Sequence, residues 1–112
     1  MRQALVYIKG VPAARLVENG PAGTANAYEL SYLPEYLVRR DAYPVSQLLP
    51  LRRAPYRSAH LFAYFESMLP EGWHAELVGR GLHLDPADRF GLLLALAGQD
   101  AIGDVTVREV VP

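Results

Sequence analysis

The sequence predicts an α+β domain, with a small antiparallel sheet and about three helices packed on one side. Three observations carry that expectation. Tyr28, Leu30 and Tyr32 alternate with Ala27, Glu29 and Ser31, the period of a half-buried strand. Leu61, Phe65, Met68 and Leu69 stand at i, i+4, i+7 and i+8, one face of an amphipathic helix. Val105 and Val107 then alternate with Thr106 and Arg108, so the chain returns to period two after its helical part.

In chain order, Leu5–Ile8 is a strand of bulky and β-branched residues that meets a turn at Lys9-Gly10. Val11–Glu18 returns as a second strand. Pro12 belongs at its start or on a sheet edge, because proline has no N–H for the ladder. Asn19, Gly20, Pro21 and Gly23 form a loop that leads to the strand around Leu30. Leu33–Leu37 makes one helical turn. The residues leave two readings open for Val45–Leu51: a short strand beside the sheet, or an extended loop. Ser58 is the expected N-cap of the helix that carries Leu61, Phe65 and Met68. Pro70 disfavours helical geometry at Leu69 and, with Glu71, suits the start of a second helix. Leu-Pro-Glu-Gly therefore reads as a sharp corner between two helices, the second ending near Gly79 and Gly81. Asp85 caps a third helix, with Pro86 at its first position and Asp88 in its first turn. Phe90, Leu93, Leu94 and Ala97 form its apolar stripe, and Gly98 ends it. Val105–Val111 is the last strand.

The 112 residues favour a single domain, 1–112, large enough to bury a core. With 51% hydrophobic and 21% charged residues the chain is not disordered. A net charge of -1 gives no support for direct nucleic-acid binding. No apolar run reaches the length of a membrane helix, and no secretory leader is visible. The absence of cysteine removes disulfide and thiolate chemistry. A cytoplasmic protein is the expectation.

Catalytic constellations are not apparent. His60, His74 and His83 lack the convergent ligands of a metal site, so no metal is expected. Glu66, Glu71, Glu76, Asp85 and Asp88 share the helical region, but caps and solvated helix faces account for them. Gly98–Gly103 has two glycines without the lysine and hydroxyl of a phosphate loop.

Phe65–Gly72 reads FxxxLPEG. It is followed by Asp-Pro-Ala-Asp at 85–88, an LLxALAG run ending at Gly98, and GxVxV at Gly103–Val107. Together with the hairpin around Lys9-Gly10, these resemble the N-terminal domain of HipA-type serine/threonine kinases. The resemblance covers nearly the whole chain. It implies no catalysis and no cofactor. A kinase needs a Gly-rich nucleotide loop, a phosphate-binding lysine, a catalytic aspartate and metal ligands. In that family they lie beyond the segment this chain resembles, and the one lysine here is Lys9, in a turn. A domain of this kind standing as a separate small protein is similar to the HipS component of tripartite HipBST toxin–antitoxin systems. The resemblance therefore implies an antitoxin that docks on a HipA-like, HipT-type kinase toxin and blocks or misaligns its active site. It also allows a HipB-like DNA-binding protein in the same complex. Two alternatives stay open: a small enzyme using the acids and histidines of the helical region, and a purely structural accessory subunit of a kinase.

The expected partner-binding residues are Glu71, Gly72, Trp73, His74 and Tyr64, around the corner. Trp73 is the only tryptophan, and two readings stand for it. It is either core or a projecting anchor of the kind that dominates interfaces. Glu71 beside it suits a basic group, as phosphate pockets provide.

Overall fold

Lys9 and Gly10 both take positive φ, 50° and 78°, as a two-residue hairpin turn that matches strand twist requires. Ile8 pairs with Val11 directly across that turn. A computed structural model describes residues 2–69, 80–81, 85, 87–96 and 104–110. The hairpin joins β1 (Arg2–Ile8) to β2 (Val11–Glu18). The chain continues through β3 (Tyr28–Tyr32), α1 (Pro34–Leu37), β4 (Tyr56–Ser58), α2 (Ala63–Glu66), α3 (Arg89–Leu96) and β5 (Val105–Glu109). The strands form one antiparallel sheet in the order β4-β3-β2-β1-β5. The first and last strands of the chain are thus neighbours, and Val107 lies opposite Val6. The expected α+β architecture is present.

Alternation sorts the sheet into two faces. Ala4, Val6, Leu16, Leu30, Val105 and Val107 are buried on one. Tyr36 of α1, Phe65 of α2, and Phe90, Leu92 and Leu93 of α3 complete the same core. Pro12 stands near the beginning of β2, opposite Tyr7, where the register shifts by a bulge. It lies outside the β2–β3 pairing, which starts at Ala14, so its missing N–H costs no bond on that side.

Three local expectations are corrected. Ser58 does not cap a helix. It pairs with Tyr28 as the last residue of β4, and its hydroxyl accepts a bond from the His60 N–H. The helix starts later, with Phe62 in the capping position and no side-chain bond there, and α2 is about one turn long. Its apolar spacing still operates, since Leu61, Phe65 and Leu69 are buried. The cap of α3 is Asp88, whose carboxylate accepts from the Gly91 N–H at 3.1 Å, while Asp85 holds the preceding turn through the Ala87 N–H at 2.9 Å. Leu92 takes the core position assigned to Leu94, which is half-buried: the side of α3 that meets the sheet is the one with Phe90, Leu92 and Leu93. Of the two readings left open for Val45–Leu51 the loop is the one present, and the strand beside β3 comes later, at β4. Tyr32 organises that loop. Its hydroxyl accepts from the Val45 N–H at 2.9 Å and donates to the Leu49 carbonyl.

The expected second helix at 70–78, the Ala97–Gly98 end of the third and the Gly98–Gly103 stretch lie outside the described residues.

Candidate functional site

A cluster of charged side chains sits where α3 meets the first two strands. Arg2, at the start of β1, faces Glu18 at the end of β2, because the hairpin register sets them opposite one another. The Asp88 cap of α3 comes down on the same guanidinium. Arg2 donates four bonds of 2.7 to 3.0 Å, two to Glu18 and two to Asp88. Its guanidinium lies 5.2 Å from the centroid of the Phe90 ring, and Tyr28 donates to Glu18 at 3.3 Å. Bidentate geometry and an aromatic face are the features that favour arginine over lysine here.

Electrostatics follows from that packing. The Arg2 guanidinium holds the Asp88 carboxyl below the ordinary carboxylate range, and the Gly91 N–H assists. Asp88 and Glu18 in turn raise Arg2 further above its ordinary value. Burial pushes the Tyr28 hydroxyl up, with Glu18 adding to it. A second pair, Arg89 to Glu66 at 2.6 Å, ties α3 to α2.

These side chains border a cleft of about 420 Å³ whose other wall is the Asn19–Ala22 loop. Its carboxylates are already matched to a fixed cation. A general acid needs a carboxyl raised toward neutral pH, and Asp88 is shifted the opposite way. Among the described residues no three His, Asp or Glu side chains converge as metal ligands. The cluster is built to hold β1, β2 and α3 together.

Of the residues expected to bind a partner, Tyr64 is the one described. It is half-buried on α2 with its ring edge-on to Phe65, centroids 5.3 Å apart, and burial raises its hydroxyl. Glu71, Gly72, Trp73 and His74 lie outside the described residues, as does His83. His60 is exposed. The described acids of the helical region do not gather: Glu66 is spent on Arg89, Asp88 on Arg2, and Asp85 on a turn, while Glu71 and Glu76 lie outside the described residues. Sequence reasoning missed the role of Arg2 and Glu18, since nothing local links residues 2 and 88. The signal available was the hairpin register, which puts Arg2 opposite Glu18 once the Lys9-Gly10 turn is fixed.

Comparison with known proteins points one way. Residues 4–108 match the family model of the HipA N-terminal domain. A solved structure of the N-terminal domain of HipA toxin is 26% identical, with a TM-score of 0.68 over 99% of this chain and 94% of its own. An uncharacterized protein of Haemophilus influenzae is 33% identical over 82 residues, which is 73% of each chain.

Proposed function

We propose that this chain, which belongs to the HipA N-terminal domain family, is an antitoxin that docks on a HipA-like kinase toxin and restrains it without chemistry of its own. One observation carries the reading: the family match extends from residue 4 to residue 108, so the fold is that domain nearly end to end. The pairing of Asp88 and Glu66 with arginines supports a binding role over acid–base catalysis.

In this reading the contact is made by the corner that follows α2. Leu69 is buried, with 6% of its surface exposed, and Trp73 comes four residues later in the sequence. A tryptophan offers a large rigid surface with one N–H donor, the chemistry of an interface anchor. Glu71 would meet basic groups of the kinase's nucleotide site, with Gly72, His74 and Tyr64 alongside. Blocking that site would silence the toxin. A HipB-like DNA-binding protein would be a further member of the complex.

The test is co-expression with a HipA-like kinase. The two should co-purify, and growth should be rescued. Trp73→Ala should weaken binding by at least about 2 kcal/mol, or roughly thirtyfold, while the melting temperature stays close to the parent's. Rescue of growth with no detectable complex would favour a small enzyme acting on the toxin or its target. A destabilised Trp73→Ala protein whose folded fraction binds normally would place Trp73 in the core.

A further inference from the structure

Charge is divided unevenly along the chain. Residues 38–57 hold five arginines and one aspartate, a net of +4, while the whole chain carries -1, so the rest carries -5. Most of the charge of this segment is committed. Arg39 pairs with Asp41 and Arg57 with Glu29, each at 3.0 Å. Arg52 donates to the carbonyls of Ala54 and Pro55 and lies 3.6 Å over the Tyr56 ring. Arg40 and Arg53 are exposed and have no carboxylate partner among the described residues.

The same segment carries the two most exposed large hydrophobic residues described, Val38 at 79% and Leu48 at 75%. Val38 is the C-cap of α1 and lines a cleft of about 360 Å³ with Tyr32, Pro34, Leu37 and Arg53. Leu48 precedes Leu49, whose carbonyl is bonded by the hydroxyl of that same Tyr32. An apolar cleft with a guanidinium on its rim, beside protruding aliphatic side chains, is left over once the bonds among the described residues are counted.

We infer that this cleft is a docking site for an acidic segment of a partner protein, one that inserts an apolar side chain against Leu37 and Val38 and sets a carboxylate on Arg53. Charge complementarity chooses the occupant. The free cations are arginines, which match carboxylates bidentately. Nucleic acid fits less well, because single strands need open aromatic faces to stack on and Arg52 already covers Tyr56. A membrane surface fits less well too, since the apolar feature is a concave slot and, among the described residues, two large aliphatic side chains protrude beside it. The inference goes beyond the antitoxin reading and does not depend on it, because no residue is shared with the Trp73 corner.

The test is an amide-detected NMR titration of the whole protein, which registers even weak binding. The probe is a short peptide with one leucine flanked by glutamates, compared with the same peptide carrying glutamines. The glutamate peptide should shift Leu37, Val38, Leu48 and Arg53, and its affinity should fall as salt rises. Arg53→Glu should weaken binding at least about tenfold, and Val38→Ser should weaken it with the melting temperature unchanged, as their exposure allows. Absence of shifts at the cleft, equal binding of the glutamine peptide, or indifference to Arg53→Glu would overturn the inference. So would stronger shifts at these residues with a single-stranded oligonucleotide or with vesicles rich in anionic lipid.

Discussion

Replacing Arg2 with methionine isolates the energetic worth of the charged cluster. Methionine keeps much of the stem that packs near Phe90 and deletes the four hydrogen bonds to Glu18 and Asp88. Bonds to charged groups are worth about 1.5–3 kcal/mol each when one partner is lost from a dry site. This site is not dry. The Arg2 side chain is 35% exposed and Asp88 32%, so solvent screens both, and exposed pairs contribute at most about 1 kcal/mol. Glu18 is better covered and is left beside another carboxylate. The loss for the whole cluster should therefore be about 2–3 kcal/mol, which for a domain of this size lowers the melting temperature by about 8–12 °C.

Acid supplies the control. Arg2 depresses the folded-state pKa of Asp88. A carboxyl whose folded pKa is lowered contributes stability that is present above its unfolded value, about 3.9, and is lost as pH falls through the folded one. The parent should therefore lose this contribution below about pH 4. Arg2→Met has none to lose. Urea melts of both proteins should show the gap at neutral pH and its closure in acid. A gap that stays the same from neutral pH to acid would refute the ion-pair account and leave a packing effect of the stem. No gap at all would refute the role of the cluster.

The remaining expectations concern the core. Tyr32→Phe orphans the Val45 N–H and the Leu49 carbonyl and should cost about 1–3 kcal/mol, measured by urea denaturation. Burial pushes the Tyr32 hydroxyl up to about 12, so its contribution is complete below the ordinary tyrosine value and fades as pH rises toward 12; the phenylalanine variant should show a flatter alkaline limb. Leu92→Ala should cost about 2–5 kcal/mol and Leu94→Ala clearly less, since Leu92 is fully buried and Leu94 is not. Equal melting temperatures for those two variants would mean that the register of α3 is wrong.

What was legible in the sequence was what period and turn chemistry encode locally. Tyr28, Leu30 and Tyr32 are buried in the predicted alternation, and Val105 and Val107 face the core as expected. The Lys9-Gly10 turn was readable because few residue pairs tolerate two positive φ values. Helix starts were harder. Ser58 and Asp85 are good capping residues, but each has a competing use, one as a strand end paired with Tyr28 and one in a turn. Cap propensity cannot rank such uses, because the winner is set by contacts far along the chain. The same limit hid the Arg2–Glu18–Asp88 cluster, whose third member is 86 residues from the first. The loop of 38–55 was opaque for another reason: its anchor is a hydroxyl on β3, and no periodicity within the loop records it.

Two regions of the surface treat charge in opposite ways, and the contrast bears on function. Beside the N-terminus of α3 every described carboxylate that borders the cleft is closed on Arg2, and a ligand would have to compete with bonds already made. At the loop after α1 the fold spends Asp41 and Glu29 on Arg39 and Arg57, while Arg40 and Arg53, beside exposed Val38 and Leu48, have no carboxylate partner among the described residues. Matched charges stabilise a fold, whereas exposed unmatched cations beside apolar side chains do little for it. Leaving aliphatic surface in water forgoes about 25 cal/mol for each Å² that burial would gain. A domain already holding Phe65, Phe90 and Leu92 in a closed core has no folding reason to retain Val38 and Leu48 outside it. On the docking proposal, that surface gains its free energy when another molecule covers it. On the two proposals above, a binding module that meets one partner through residues 71–74 and an acidic segment at the loop after α1 would account for that surface.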